Sequence, residues 1–378
     1  MKKCVVVSDS FKGTVSSREI CEIAQRVIPR HFPACEVVCI PVADGGEGTV
    51  DCFVQAMGAQ RVGVTVTNAL GEKSTAAYAR LGELAIIEMA AAAGLPQVGA
   101  LRCPGTATTY GVGELIAHAV DSGCRKILLG LGGSATNDGG CGCAAALGVG
   151  FLDADGQSFV PVGDTLGRIA RIDTAKADEL LRSVEITVMC DVTNPLYGPT
   201  GAAYVFAPQK GADAEKVKSL DAGLRHFGDV IRSQYGLDVS AMPGAGAAGG
   251  MGAGCVALLG GTIQSGIDAV LDVTGFDRQL EGADLVITGE GRIDSQSADG
   301  KVISGVARRT KAKGVPLIAI AGGIADSAGA VYDIGVSAMF STDRAALPVD
   351  MLGARSPGDY EATLSDIMSL IAIAERFA

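Results

Sequence analysis

The fold is decided by the opening stretch, CVVVSDSFKGTVSSREICEIAQRVIPRHFPACEVVCIPVADGGEGT at residues 4–49. Residues 4–7 form a continuous run of apolar, mostly β-branched side chains, which is typical of a strand buried in a parallel sheet. Apolar residues then recur at helical spacing across 20–28, and a second apolar run at 36–42 predicts another strand. A helix predicted over 49–58 completes a β-α-β-α order, which favours a parallel sheet with right-handed crossovers.

The pattern of apolar and polar residues changes after residue 61. Shorter runs of alternating apolar and polar residues predict strands at 62–66, 74–78 and 84–89. Turn residues at 68–71 separate the first two of these strands. This region is therefore predicted to be an insertion that is partly antiparallel.

Alternation of strands and helices returns after a glycine-rich run at 244–254, with a strand predicted at 285–288 and a helix at 302–313. We interpret the glycine run as a flexible hinge or a nest of backbone N–H groups, and as a hinge it could permit lobe closure. Both ends of the chain thus show the same alternation of strands and helices. We predict an α/β fold with a Rossmann-like, doubly wound parallel sheet lobe that is discontinuous in sequence, and an inserted second α/β lobe. The predicted lobes are 1–62 plus 276–378, and 63–275.

Composition excludes several classes of protein. Hydrophobic residues make up 48% and charged residues 19% of the 378 residues, which is typical of a folded α/β protein. The net charge is −11 and no long run of Lys or Arg occurs, so binding to nucleic acid or to an anionic membrane is disfavoured. Asp9 interrupts the N-terminal apolar run, and the apolar stretch at 84–95 carries Glu88 and is too short to span a bilayer. The sequence predicts a cytoplasmic protein without a membrane segment.

The chain has 11 cysteines and three histidines. An odd number of cysteines scattered through apolar segments indicates reduced thiols in a reducing compartment. Cys141 and Cys143 form a C-x-C pattern rather than C-x-x-C, so no structural zinc site is predicted. The histidines lie in no triad pattern, which argues against a Ser/His/Asp hydrolase.

Polar and glycine-rich sequence follows each apolar strand of the outer lobe. Ligands of open parallel sheets bind beyond the carboxyl ends of the strands. The need for turn residues explains any one such loop, but five together favour a binding site. Lys12 and Arg292 would supply cations for a phosphate or carboxylate, beside acidic residues suited to metal binding or proton transfer. The loops are residues 8–13, 44–48, 289–294, 322–323 and 341–343.

The middle lobe contains a second concentration of glycines, GLGGSATNDGG at 130–140, between an apolar strand and a helix-like segment. Glycines let backbone N–H groups approach an oxyanion closely, so this loop is a candidate phosphate cradle. It is not a P-loop, because the pattern G-x-x-x-x-G-K-[ST] occurs nowhere in the chain. Gly130, Gly132 and Ala135 also match a variant dinucleotide fingerprint with an acid at Asp153, which leaves a dehydrogenase as an alternative.

A third candidate loop, CDVTNPL at 190–196, follows another apolar strand. Pro195 forces an extended turn that could hold Asp191 and Asn194 toward a ligand. An Asx-type turn is the structural alternative for the same residues.

Six sequence blocks follow one another along nearly the whole chain: DSFKGT at 9–14, ADGGEGT at 43–49, GTATTYGVGELI at 105–116, GLGGSATNDGG at 130–140, CDVTNPLYGPTGAA at 190–203 and TGEGRIDSQS at 288–297. In this order they resemble the glycerate kinase family, which is distinct from the P-loop kinases.

The resemblance implies phosphorylation of D-glycerate that depends on ATP and Mg²⁺, in a cleft between a Rossmann-like lobe and a smaller lobe. It favours 2-phosphoglycerate as the product, with 3-phosphoglycerate as the alternative. A nicotinamide-dependent dehydrogenase of a small hydroxy acid and a non-catalytic binding module stay open as other classes. The oligomeric state is also open, and a homo-oligomer is allowed.

We assign roles to the motif residues on the basis of this resemblance. Phosphoryl transfer requires charge neutralisation and alignment more than covalent chemistry. The catalytic assignments are Asp191, Lys12 and Arg292, with Asp191 orienting or deprotonating the attacking hydroxyl. The metal ligands are Asp294 or Glu290. The substrate-binding residues are Asp9, Ser10, Asp44, Glu47 and Asn194, and the nucleotide-binding residues are Gly132, Gly133, Ser134, Asn137 and Asp138.

Overall fold

The structure is a computed structural model that describes residues 1–11, 14–40, 42, 48–298, 301–345 and 353–377. The chain divides into two compact units. The first comprises Met1–Asp44 and Gly266–Ala378, and the second comprises Gly45–Ser265. The lobe boundaries at 62/63 and 275/276 stay a prediction about domain organisation.

The described residues form thirteen strands. In chain order they are β1 Lys3–Ser8, β2 Glu36–Cys39, β3 Gln60–Thr67, β4 Lys73–Leu81, β5 Leu84–Glu88, β6 Lys126–Gly130, β7 Gly150–Leu152, β8 Arg171–Asp173, β9 Glu185–Met189, β10 Thr262–Gln264, β11 Leu285–Ile293, β12 Leu317–Ile324 and β13 Ala338–Ser341.

The α-helices of the described residues are α1 Ser17–His31, α2 Thr49–Met57, α3 Ala90–Ala93, α4 Leu95–Val98, α5 Tyr110–Asp121, α6 Cys141–Ala146, α7 Ala175–Leu181, α8 Ala202–Phe206, α9 Ala214–Tyr235, α10 Ala247–Leu259, α11 Gly266–Val273, α12 Phe276–Gln279, α13 Val302–Lys313, α14 Ala330–Ile334 and α15 Ser356–Ala374. Short 3₁₀ helices occur at Gly163–Arg168, Pro208–Lys210, Ser295–Ala298, Asp326–Gly329 and Gly353–Arg355.

The first unit contains a five-stranded, fully parallel sheet in the order β2-β1-β11-β12-β13. Numbered within the unit alone, the order is 2-1-3-4-5, which is the flavodoxin-like form of a doubly wound sheet. The order reverses between β1 and β11, and ligands of such sheets bind beyond the strand ends at this switch point.

Helices cover both faces of this sheet. Ile20 of α1 and Tyr360 of α15 share one apolar cluster with Val6. Val5 alternates with Val6, so it points to the opposite face, where α13 contacts the strands and where Val5 is also fully buried. The predicted doubly wound α/β fold is confirmed.

The second unit contains a six-stranded mixed sheet in the order β10-β9-β6-β5-β4-β3. β5, β6, β9 and β10 are parallel, whereas β3, β4 and β5 pair antiparallel. The Asn68 side chain closes the turn between β3 and β4 by accepting hydrogen bonds from the backbone N–H groups of Leu70 and Glu72. The predicted partly antiparallel insertion is therefore confirmed. β7 and β8 form a separate two-stranded sheet.

The interpretation of the glycine run at 244–254 as a flexible hinge is wrong. Gly249 and its neighbours are buried, and a Cβ at Gly249 would overlap the carbonyl oxygen of Thr136. Gly246 approaches the carbonyl oxygen of Pro195 equally closely. The glycines are needed because the backbone packs directly against two other loops, which is the reverse of a loose connection.

Within the part of the chain that the structure describes, no helix has the length and apolar character needed to cross a bilayer.

Candidate active site

The carboxyl ends of β1 and β11 meet at the switch point of the first unit. The Asp9 N–H donates to the carbonyl oxygen of Gly289 at 2.9 Å, which joins the end of β1 to the middle of β11. The Asp9 Oδ1 atom accepts hydrogen bonds from the Ser10 N–H at 2.7 Å and from the Ser10 hydroxyl at 3.4 Å. Both side chains are half-buried, so this edge presents a carboxylate and a hydroxyl side by side.

Glu290 lies next to this pair, inside β11. Its side chain is buried, and its Oε1 atom accepts a hydrogen bond from the Ser297 hydroxyl. Burial raises the pKa of the Glu290 carboxyl, and the negative charges of Asp9 and Asp294 raise it further, against the opposing effects of Ser297 and Lys301. The negative charges of Asp9 and Asp294 thus both act on the buried Glu290 carboxyl.

The loop after β11 is held by Ser297, a residue that sequence reasoning did not single out. The Asp294 N–H donates to the Ser297 Oγ at 3.1 Å, so the hydroxyl connects the Asp294 backbone to the Glu290 carboxylate. Asp294 is half-buried, and its Oδ1 accepts from the Gln296 N–H at 2.9 Å. Arg292 is exposed. The signal for Ser297 was its place in the block at 288–297.

The described residues contain no group of three or more His, Cys, Asp or Glu arranged to hold a metal ion. Glu290 and Asp294 nevertheless offer the hard carboxylate oxygens that Mg²⁺ prefers, and their mutual repulsion is the kind that a cation relieves. Their role as metal ligands stays a prediction. Lys12, Asp44 and Glu47 lie outside the described residues.

In the second unit, the loop at 130–140 follows β6 and has exposed backbone donors. Two backbone hydrogen bonds connect this loop to the segment at 93–95. The Leu95 N–H donates to the Gly133 carbonyl oxygen, and the Ala135 N–H donates to the Ala93 carbonyl oxygen, each at 2.9 Å. Among the described residues, the N–H groups of Gly132, Gly133 and Ser134 have no hydrogen-bond acceptor. Gly132 and Gly133 are exposed, and Gly133 has a φ of 73°. Such a series of free N–H groups suits an anionic ligand.

Asp138, near the C-terminal end of this loop, is fully buried and binds several backbone groups around it. Its carboxylate accepts hydrogen bonds from the N–H and the hydroxyl of Thr109, both at 2.8 Å. It also accepts from the N–H groups of Gly140 at 3.0 Å and Gly142 at 3.3 Å. Burial raises the pKa of Asp138, although these four hydrogen bonds oppose the rise. The contact of Asp138 with a nucleotide stays a prediction.

Asn137 is fully buried, and neither polar atom of its side-chain amide has a hydrogen-bond partner among the described residues. The hydroxyl of Thr136 is buried in the same way. Unpaired buried polar groups are costly, so native proteins pair them with water or a ligand. The position is consistent with the predicted nucleotide-binding role of Asn137, which stays a prediction.

Sequence reasoning missed Lys210, whose side chain is 2% exposed. Its Nζ donates to the Ser134 Oγ at 2.8 Å and to the Thr136 carbonyl oxygen at 2.7 Å. Burial lowers the pKa of Lys210 to about 7, and the negative charge of Asp138 only partly offsets this. Its sequence context shows nothing more than a turn between Pro208 and Gly211.

The loop after β9 is bound to the glycine run. The Asn194 carbonyl oxygen accepts from the Gly246 N–H at 3.0 Å, and the Asn194 side-chain amide donates to Thr200 O at 2.8 Å. The Asn194 side chain therefore holds its own loop by donating to a carbonyl oxygen six residues later, which is not the side-chain acceptor geometry of an Asx-type turn. Asp191 is exposed at the strand end. The substrate and catalytic roles of both residues stay predictions.

Glu88, at the carboxyl end of β5, was also missed. It accepts a hydrogen bond from the Val50 N–H at 2.7 Å, at the start of α2. It stands beside Gly130 in the β5–β6 register, so it borders the beginning of the loop at 130–140. Glu88 lines a cavity of about 260 Å³ together with Val50, Asp51, Arg61, Thr75, Ala76, Ala77 and Ala91.

Comparisons with known proteins agree with these motifs. The model of the glycerate kinase family matches residues 4–372. A Bacillus cereus glycerate kinase is 46% identical over 377 residues, which cover 99% of each chain. A protein of Escherichia coli strain K12 named glycerate 2-kinase is 45% identical over 343 residues, or 90% of each chain.

A solved structure is similar over the same length. A crystal structure of a Salmonella typhimurium LT2 protein assigned as glycerate kinase 2 superimposes with a TM-score of 0.88 at 39% identity, and the match covers 99% of each chain.

Proposed function

Because the chain belongs to the glycerate kinase family and is therefore a kinase, we propose that it transfers the γ-phosphate of ATP to the 2-hydroxyl of D-glycerate. The observation that supports this proposal is the loop at 130–140, where the N–H groups of Gly132, Gly133 and Ser134 have no acceptor among the described residues and would suit phosphate oxygens. The likeness to the Escherichia coli glycerate 2-kinase supports the 2-position, and 3-phosphoglycerate is the alternative product.

The chemistry we propose is a direct, in-line transfer. The attacking hydroxyl oxygen bonds to the γ-phosphorus while the bond from that phosphorus to the bridging oxygen of ADP breaks. Asp191 takes the hydroxyl proton, and Lys12 and Arg292 bind the carboxylate or the phosphate oxygens. Mg²⁺, when bound, neutralises phosphate charge. Asp9, Ser10, Asp44, Glu47 and Asn194 orient the hydroxy acid in this proposal, and Glu290 and Asp294 would hold the metal.

Asp138 and Asn137 serve the nucleotide in a different manner. Both are fully buried, and the Asp138 carboxylate accepts four hydrogen bonds: two from Thr109, one from Gly140 of the loop and one from Gly142 of α6. We assign Asp138 to the shape of the cradle and the unpaired amide of Asn137 to the nucleotide, with Gly132, Gly133 and Ser134 as the groups that meet the phosphates.

Phosphorus NMR of the purified protein with ATP, Mg²⁺ and D-glycerate tests the reaction and the position together. We expect a 2-phosphoglycerate signal that requires all three components. A 3-phosphoglycerate signal would correct only the position, and the absence of any phosphoester would reject the proposed reaction.

Steady-state kinetics test the role of Asp191. We expect Asp191→Asn to lower turnover by about 10²–10⁴, which is the usual contribution of a general base. Asp229→Asn is the matched control, because Asp229 is an exposed aspartate on α9 that is paired with Arg232. Near wild-type turnover in Asp191→Asn would remove the residue from this role, and Lys12→Ala is assessed in the same way.

The cytoplasmic location is part of the same proposal. None of the 11 cysteines, all of which lie in the described part of the chain, forms a disulfide, and Cys103 is exposed, which suits a reducing compartment. Recovery of the native protein in the soluble cytoplasmic fraction is the expected result, and its recovery outside the cytoplasm would contradict the assignment.

A further inference from the structure

A short turn places Lys210 beneath the loop at 130–140. The 3₁₀ helix Pro208–Lys210 follows α8, and Gly211 closes the turn with a φ of 97°. The Arg102 guanidinium donates to the carbonyl oxygen of Gln209 at 3.0 Å and fixes the turn from its other side. The lysine side chain is thereby directed into the interior of the unit, 76 residues away in sequence from the serine it contacts.

A single nitrogen atom holds two points of the loop. Lys210 Nζ contacts the hydroxyl of Ser134 and the carbonyl oxygen of Thr136, so the segment between them cannot turn without losing a buried hydrogen bond. The N–H groups of Gly132 and Gly133, which have no acceptor in the part of the chain that the structure describes, lie on the exposed part of the same loop. The chain has no P-loop motif and therefore no P-loop lysine. Lys210, from a distant segment, contacts the glycine-rich loop instead.

We propose that Lys210 is a positioning residue for the nucleotide, which holds the loop at 130–140 in its anion-binding shape and takes up a proton when a phosphate group binds there. This inference rests on the proposed function, because it assumes that the loop receives the phosphates of a nucleotide.

The charge around Lys210 explains why its proton is exchangeable. Asp138 is the charged group whose field reaches Lys210, and helices α8 and α10 carry no Asp, Glu, Lys, Arg or His. The pKa of about 7 leaves the amine largely neutral at pH 8. A neutral amine has two protons, which match the two acceptors on Ser134 and Thr136. A bound phosphate adds negative charge above the loop and favours the ammonium form, so one proton moves from the solvent to Nζ.

Isothermal titration calorimetry with ADP measures this proton directly. Titrations at pH 8 in two buffers of different ionisation enthalpy give the number of protons taken up on binding. We expect a substantial fraction of one proton for the wild type and no such uptake for Lys210→Met. We also expect Lys210→Met to bind ADP about tenfold more weakly, as for loss of a buried supporting contact, with less than a twofold change in the KM for glycerate.

Two further variants make the test specific. Lys210→Gln retains N–H donors but cannot titrate, so it should keep part of the ADP affinity and lose the proton uptake. Lys216→Met is the matched control, since Lys216 is a nearby lysine paired with Asp164 at the surface. It should resemble the wild type in both measurements.

The inference is overturned if a folded Lys210→Met or Lys210→Gln protein takes up the same number of protons as the wild type. It is also overturned if ADP affinity and the KM for glycerate weaken equally, because that pattern indicates a general loss of structure. ADP binding needs no acceptor substrate, so these results can be read even if glycerate proves not to be phosphorylated.

Discussion

The hydroxyl of Thr109 donates a hydrogen bond to the Asp138 carboxylate at 2.8 Å, although 29 residues separate them in sequence. The same hydroxyl accepts from the Cys143 N–H at 2.8 Å. Thr109 therefore joins the start of α5, the buried carboxylate and the first turn of α6, which together support the loop at 130–140.

Thr109→Val should destabilise the protein by about 1–3 kcal/mol, because it removes a donor from a buried carboxylate and an acceptor from a buried N–H. Urea denaturation would measure the change in the free energy of unfolding. Thr106→Val is the control, since Thr106 is exposed. Equal stability of the two variants would show that the Thr109 hydroxyl contributes little.

Gly249→Ala should be much more costly than Gly236→Ala. Both glycines have φ near +70°, where an alanine costs about 1–2 kcal/mol. The Cβ at Gly236 would meet no atom within 4 Å, whereas the Cβ at Gly249 would overlap Thr136 O. The overlap should add about 1–3 kcal/mol. Denaturation midpoints of the two variants that coincide would contradict the packed arrangement of the glycine run.

Glu290→Gln should stabilise the protein and impair catalysis. Burial raises the pKa of Glu290, so the folded state holds its proton to higher pH than the unfolded chain does. The stability of the wild type therefore falls as the pH rises from the ordinary glutamate range through the raised pKa, and the glutamine variant lacks this loss. Thermal melting of both proteins from pH 4 to pH 8 would reveal a widening difference in favour of the variant.

The same variant tests the metal assignment. If Glu290 binds Mg²⁺, the Mg²⁺ concentration for half-maximal activity should rise about tenfold or more in Glu290→Gln. Glu281→Gln changes an exposed glutamate of the same unit and should leave both measurements unaltered. An unchanged Mg²⁺ requirement in Glu290→Gln would remove this residue from the metal site.

Cys103 should react first with a thiol reagent such as DTNB in the native protein. It is exposed, whereas Cys141, Cys143 and Cys255 are buried, and burial raises the pKa of Cys255 to about 12. A protonated, inaccessible thiol reacts slowly. Absorbance at neutral pH should show a fast phase that Cys103→Ser removes. A fast phase that persists in this variant would mean that another thiol is accessible.

Most of the elements that form the sheets could be predicted because their patterns are local. The run at 4–7 lies within β1, and the helix predicted at 302–313 coincides with α13. The glycine run was misread, since glycine suits both a loose hinge and a close approach of two backbones. Only the neighbouring loops at Thr136 and Pro195 distinguish these cases.

The residues of the candidate site also differ in whether local sequence could identify them. Asp9 and Gly132 lie in loops that directly follow strands, so sequence alone could single them out. Glu290 was predicted to lie in such a loop, but the structure extends β11 through Ile293 and so places Glu290 within the strand. Lys210 and Ser297 act through contacts with other segments, and their own surroundings carry no periodic signal.

By itself, the sequence determined the α/β class, the doubly wound ends of the chain and the family, because periodicity, turn chemistry and ordered motifs are properties of neighbouring residues. The tertiary structure alone decided which polar groups became buried together: Lys210 under Ser134, Thr109 on Asp138 and Ser297 on Glu290. Burial and charge depend on segments that only folding brings into contact, and these contacts set the pKa values and the shape of the loops.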